Sequence, residues 1–243
     1  MRLFYTIGIL VYGMLIKISS LYNKKAQLWL AGRKKWNKNL QHAMSKNSKP
    51  VVWVHCSSLG EFEQGRPVIE ELKSKNSEIF ILLTFFSPSG YEIRKNYAHA
   101  DYVCYMPLDT LSNAQKFVAM VKPSVAIFVK YEFWYNHLII LKKNNIQPWL
   151  ISGIFRPQQH FFKPWGGWFR RQLHCFEHFF VQNQQSANLL ESIGYKNFTV
   201  GGDTRFDRVL QVASQAKTIP AIEQFVTGSF TLVVGSSWPA EEE

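Results

Sequence analysis

Two glutamates and an arginine follow short apolar runs, each within a stretch of turn-forming or polar residues. Glu61 closes Ser57-Ser-Leu-Gly-Glu61, Glu132 sits in Lys130-Tyr-Glu-Phe-Trp-Tyr-Asn136, and Arg156 ends Ser152-Gly-Ile-Phe-Arg156. A carboxylate so placed can take a proton from a hydroxyl as a general base. A guanidinium there matches a phosphate bidentately. Each residue also has a plainer role. Glu61 can complement the dipole of a helix that starts there, an effect of about 0.3–1 kcal/mol. Glu132 can pair with a basic group of a neighbouring loop, and Arg156 can form a surface ion pair. Ser57, Ser58 and Gly60 shape the Glu61 loop and offer hydrogen bonds. Gly60 is expected to permit a tight turn or the close approach of a ligand. Thr84-Phe-Phe-Ser-Pro-Ser-Gly90 supplies a fourth polar loop.

The elements that must position these loops follow one pattern after Pro50. Apolar runs at 51–55, 79–85, 102–105, 125–129, 148–151 and 178–182 read as strands. Helix-period stretches at 61–73, 89–96, 111–121, 134–143 and 186–193 separate them. Strand–helix alternation at this spacing implies a parallel sheet covered on both faces, an α/β Rossmann-like domain over 51–210. The four polar loops then share the carboxyl rim of that sheet, where such folds hold polar ligands. No G-x-G-x-x-G follows the first strand, which argues against a nicotinamide or flavin enzyme. Residues 211–228 read as an inter-domain connection. Phe230-Thr-Leu-Val-Val-Gly-Ser-Ser-Trp238 then reads as a new strand and turn, the truncated start of a second α/β domain over 229–243.

Charge is concentrated at one end. The first fifty residues hold ten basic residues and no Asp or Glu, so they carry nearly all of the net +11. Leu3–Ile16 is an uncharged and largely apolar run stopped by Lys17. It is shorter than the roughly 20 residues of a comfortable bilayer span. No small-x-small cleavage site separates it from the basic stretch, so residues 1–22 read as a retained membrane-anchor helix. Residues 23–50 read as a basic membrane-proximal segment facing anionic inner-membrane lipid from the cytoplasmic side. A basic end beside an apolar anchor argues against nucleic acid as partner. Cys56, Cys104 and Cys175 are widely spaced and the seven histidines scattered, so no metal site is expected.

His55-Cys-Ser-Ser-Leu-Gly-Glu61, Leu83-Thr-Phe-Phe-Ser-Pro-Ser-Gly90, Tyr131-Glu-Phe-Trp-Tyr-Asn136 and Gly201-Gly-Asp-Thr-Arg-Phe-Asp207, in that order, resemble the 3-deoxy-D-manno-octulosonic acid (Kdo) transferases of lipopolysaccharide synthesis. The resemblance covers essentially the whole chain. It implies a two-domain GT-B glycosyltransferase whose amino-terminal domain binds the acceptor, lipid IVA, and whose other domain binds the donor, CMP-Kdo. It implies transfer with inversion and without cofactor or metal. Glu61 falls on the family's catalytic glutamate and Glu132 on its second patterned acid, while Gly235, Ser236 and Ser237 fall on a donor-side loop. Many relatives have histidine where Trp238 stands. Two other readings remain: a non-catalytic, membrane-associated acceptor-binding module, and a GT-B enzyme with another acceptor.

Overall fold

All six residues of Val51-Val-Trp-Val-His-Cys56 are buried, and all but His55 are apolar or nearly so. Such a run is stable only with cover on both faces, the environment of a central parallel strand. A computed structural model, which describes residues 1–216, 218–228, 230–235 and 238, places it there. The elements run α1 (Arg2–Ser19), α2 (Lys24–Arg33), α3 (Trp36–Ser45), β1 (Val51–Cys56), α4 (Leu59–Lys75), β2 (Phe80–Phe85), α5 (Pro88–Arg94) and β3 (Tyr102–Tyr105). They continue with α6 (Leu111–Val121), β4 (Val125–Val129), α7 (Tyr135–Lys143), β5 (Pro148–Gly153), α8 (Gly167–Leu173), β6 (His178–Val181), α9 (Gln184–Ser192), β7 (Phe198–Val200), α10 (Arg205–Ser214) and α11 (Pro220–Val226).

All neighbouring strands are parallel, in the order β3-β2-β1-β4-β5-β6-β7. Alternate residues of β1 enter separate cores. Trp53 joins Phe117 and Phe128 on one face, and Val54 and Cys56 join Phe62 and Ile69 on the other. The expected α/β class holds. Among the elements that went unread are β7, only three residues long, α8, of seven residues, and α10 and α11, which cross the stretch read as a connection.

The basic stretch is helical and packs on the domain. It forms α2 and α3, which bury Ala26, Trp29 and Leu40 against the sheet domain. Arg33 is inside with them. Its guanidinium lies 3.7 Å from the Trp29 ring centroid and donates to the carbonyls of Met106 and Phe86 at 2.9 and 2.8 Å. Burial pulls its pKa down to about 9. Gly32 permits this contact, since a Cβ there would fall 2.0 Å from Tyr105.

Helix α1 lies along the same unit. Tyr5, Ile9, Gly13 and Ile16, spaced at helical period, form a half-buried stripe. Tyr5 stacks edge-on against Tyr135 with ring centroids 5.6 Å apart, and Tyr12 reaches Trp29 and Phe86. A Cβ on Gly13 would stand 2.9 Å from Leu108. Leu3, Phe4, Ile7, Leu10, Met14, Leu15 and Ile18 remain exposed on the far side.

Residues Met1–Asp207 form one compact unit and Arg208–Glu243 a second. In the second, α11 has no buried residue. The run 230–234, expected as a strand, carries none. A single parallel strand without a neighbour leaves its backbone groups unpaired, so the apolar pattern alone cannot fix it. Ser236 and Ser237 lie outside the described residues.

Candidate active site

The sheet order reverses between β1 and β4, and their carboxyl ends carry the two glutamate loops. Open α/β sheets bind ligands at this crevice. Backbone geometry changes abruptly around it: Lys130 after β4 and Ser152 in β5 both adopt positive φ, 71° and 51°. Left-handed backbone is uncommon for such residues and gathers where surrounding structure enforces it.

Ser58 has extended backbone and Leu59, Gly60 and Glu61 form the first turn of α4. Serine three residues before glutamate is the arrangement of a capping box, with the serine hydroxyl accepting from the backbone. Ser58 makes no such cap. Its hydroxyl donates to Glu61 Oε2 instead. The half-buried Glu61 side chain is thus oriented by a neighbour, at the positive end of a helix. Gly60 does not make the expected tight turn; it is helical, and a Cβ there would meet only Ser58 Oγ, at 3.8 Å. The close approach occurs at Gly90. A Cβ there would sit 2.3 Å from the Phe85 ring and 3.0 Å from the Ser58 carbonyl carbon. The Ser87 N–H also donates to Ser57 O at 2.7 Å, so the Thr84–Gly90 loop braces the Glu61 loop.

Glu132 is 5% exposed and accepts from Trp134 Nε1 at 2.5 Å. Among the described residues its charged neighbour is neither lysine nor arginine. His55 Nε2 lies 3.3 Å from Glu132 Oε2, outside hydrogen-bond geometry and without another partner. On the other side of the ring, His55 Nδ1 is 2.9 Å from Thr84 Oγ1, which accepts from Trp53 Nε1 at 2.8 Å. Indole N–H only donates. The Thr84 hydroxyl also donates to Val54 O at 3.4 Å, so it ties His55 and Trp53 to the β1 backbone beneath Glu132. Both carboxylates are felt beneath the crevice: burial pushes the Cys56 thiol up, and Glu132 and Glu61 push it the same way.

The remaining sequence-marked residues divide. Ser57, Tyr131, Glu132 and Trp134 line a cavity of ≈ 460 Å³ at the crevice; Glu61 is outside its lining. Arg156 is exposed after β5, and its guanidinium forms no ion pair among the described residues. Gly201–Asp207 clamps the sheet to α4. Thr204 Oγ1 donates to Gln64 O at 2.6 Å and contacts Ser152 Oγ at 2.9 Å, while Gln182 bridges Gln64 Oε1 and Ser152 O. Sequence reasoning passed over His55 and Thr84. They are paired residues of adjacent strands, and two polar residues ending apolar runs were the available signal.

Residues 34–208 match the model of the 3-Deoxy-D-manno-octulosonic-acid transferase (kdotransferase) family. The chain belongs to this family. Among its relatives, a 3-deoxy-D-manno-octulosonic acid transferase of Aquifex aeolicus is 38% identical over 103 residues, 42% of this chain and 28% of that protein. The Haemophilus influenzae protein of the same name is 28% identical over 102 residues, 42% of this chain and 24% of that one. The Rickettsia bellii transferase aligns with all of this chain at 22% identity, over 58% of its own length. The chain therefore matches between about a quarter and three fifths of the length of these three relatives. Among solved structures, a UDP-N-acetylglucosamine 2-epimerase superposes with a TM-score of 0.55 at 16% identity, over 74% of this chain and 55% of that one. The Neisseria meningitidis UDP-GlcNAc 2-epimerase superposes at 0.52 with 20% identity, over 72% and 52%. At such identities the likeness is one of fold, a Rossmann-like α/β unit, here in a Kdo transferase amino-terminal part.

Proposed function

We propose that this chain supplies the acceptor half of an inverting glycosyltransferase that moves Kdo from CMP-Kdo to lipid IVA at the cytoplasmic face of the inner membrane. The observation that carries this reading is the pair Glu61 and Glu132 on either side of the β1–β4 crevice. Glu61 takes the proton of the attacking acceptor hydroxyl. The hydroxyl oxygen forms a new bond to the anomeric carbon as the bond to the CMP phosphate breaks, and CMP leaves with the electron pair. A positioned base of this kind contributes about 10²–10⁴-fold. Ser58 aims the carboxylate, Ser57 and the open space at Gly60 admit the acceptor, and Arg156 offers its unpaired guanidinium to an acceptor phosphate. No cofactor is invoked. The donor-side loop that includes Gly235 is present in this chain, and the rest of the donor site belongs, in this reading, to the length of the relatives that this chain does not span.

Membrane contact follows from α1. It is 18 residues long and apolar enough to cross a membrane by length and composition. Yet it touches the sheet domain along its length, through Tyr5, Tyr12 and Gly13. A helix fastened along its length lies in the interface, with its exposed apolar side towards the acyl chains. The basic side chains of α2 and α3, Arg33 excepted, then face anionic headgroups.

The test is lipid IVA binding and Kdo transfer by this chain and by a form extended over the donor half. The reading predicts binding by both and transfer by the extended form. Binding without transfer by either would favour a non-catalytic acceptor-binding module. Transfer to another glycolipid only would retain the enzyme and replace the acceptor.

A further inference from the structure

The cavity beside Glu132 has a wall that the two-loop description leaves out. Tyr5 and Ile9 of α1 form one side, and His160, Phe169 and Gln172 form another. Helix α1 is therefore part of a binding site as well as a surface for lipid. Gln172 is the unusual member. It is 3% exposed, yet its side-chain amide has no hydrogen-bond partner among the described residues. The amide is not sealed off from solvent, so it opens onto the cavity and can pair with an occupant there. An amide both donates and accepts, and its natural complements are another amide or a hydroxyl.

The charge of the lining narrows the occupant. No lysine or arginine is among the lining residues, and Glu132 supplies the formal negative charge. The one imidazole of the lining, His160, stacks on Phe169 with ring centroids 4.1 Å apart, and burial lowers its pKa. A phosphate placed there would meet a carboxylate without a compensating cation. The apolar walls, Ile9, Phe169 and Trp134, suit a hydrocarbon chain instead.

We infer that this cavity binds the uncharged, amide- or hydroxyl-bearing part of an acylated ligand, with Gln172 pairing to that polar group and the chain running between Ile9 and Phe169. The inference deepens the acceptor reading and rests on it for the identity of the natural ligand. It assigns the acceptor's phosphates to a place outside this cavity.

Two photoreactive probes decide the matter, used on the intact chain in phosphatidylcholine nanodiscs. One is decanoyl-N-methylglucamide and the other decyl phosphate, each with a diazirine on its chain, and crosslinks are mapped by mass spectrometry. The glucamide should label Ile9, Trp134 or Phe169, and unlabelled glucamide should compete it away. Decyl phosphate should label those positions at least fivefold less. Gln172→Leu should lower glucamide labelling at least fivefold, and Ile9→Trp, which fills the cavity from the opposite wall, should do the same. Equal labelling by decyl phosphate, or glucamide labelling unchanged in both variants, would overturn the inference. The wild-type comparison stands even if a variant folds poorly. Labelling needs no turnover: failure of the transferase reading leaves it intact, and transfer without cavity labelling removes this inference alone.

Discussion

At the scale of single residues, orientation sets Glu61 apart from an ordinary first-turn acid. Its neighbour Ser58 donates to the carboxylate and leaves the backbone uncapped. Ser58→Ala should therefore leave acceptor affinity near its starting value and lower kcat of the extended enzyme about tenfold, the equivalent of one lost hydrogen bond of about 1.4 kcal/mol. Steady-state kinetics over acceptor concentration separates the two effects; a rise in KM alone would contradict it. A second prediction concerns acid. The hydrogen bonds from Arg205 hold the Asp203 carboxyl below its ordinary 3.8. A carboxylate with a depressed folded-state pKa adds stability above the unfolded value, and that stability disappears as pH falls through the folded value. Denaturant melts of wild type and Asp203→Asn should thus differ at pH 6 and converge as pH falls out of the ordinary carboxylate range and through the lower folded value. A constant difference across that range would count against the pairing. Glu61, Glu132 and Arg156 were legible as residues because charge after an apolar run is conspicuous. Their partners were not. His55 and Thr84 look like strand residues until register sets them side by side, and Asp109, 28 positions from His137, has no local pattern to betray it.

At the scale of elements, three contacts hold the rim in place. Gly90 lets α5 approach β2 and the Ser57–Ser58 loop, so Gly90→Ala forces the Phe85 ring aside and presses on the Ser58 backbone. Overpacking of this kind costs about 1–3 kcal/mol. Its signature should be a lower melting temperature together with a loss of transfer greater than the stability change explains. The second contact is the buried Asp109 carboxylate, which accepts from the N–H groups of Asn136 and His137 at the start of α7, from His137 Nδ1, and from the Tyr5 hydroxyl at 2.5 Å. It joins α1 to the helix that follows the Glu132 loop. Tyr5→Phe removes one donor from a buried acceptor, at a cost of about 1–3 kcal/mol. Hydrogen exchange in α1 should quicken while the central strands keep their protection; uniform change, or none, would refute the linkage. The third is the Gly201–Asp207 clamp. Strands β3 and β4 and helix α6 matched the sequence reading residue for residue because their apolar periods run unbroken between turn formers. Helices α2 and α3 were not resolved within the basic segment, because high charge masked the few apolar residues they bury. Composition reports what a segment shows to water, and packing depends on Ala26, Trp29 and Leu40.

At the scale of the whole molecule, the first unit presents one coherent side. In the proposed reading, the outer face of α1 meets the lipid surface and the basic helices next to it meet anionic headgroups, beside the cavity behind Ile9. Leu10→Glu with Met14→Glu should release the chain from anionic vesicles in flotation assays without altering its circular dichroism, because both residues are exposed. High salt should weaken wild-type binding but not abolish it, since each basic residue near such a surface contributes only about 1 kcal/mol and the apolar face remains. Complete release by salt alone would make the surface purely electrostatic. The central claim is that Glu61 removes the acceptor proton, and it is tested most directly by Kdo transfer from CMP-Kdo to lipid IVA in the extended enzyme carrying Glu61→Gln. The account predicts a fall in kcat of about 10²–10⁴-fold, in line with loss of a general base, with lipid IVA binding retained. Transfer at the wild-type rate would contradict it and return Glu61 to a helix-terminal role.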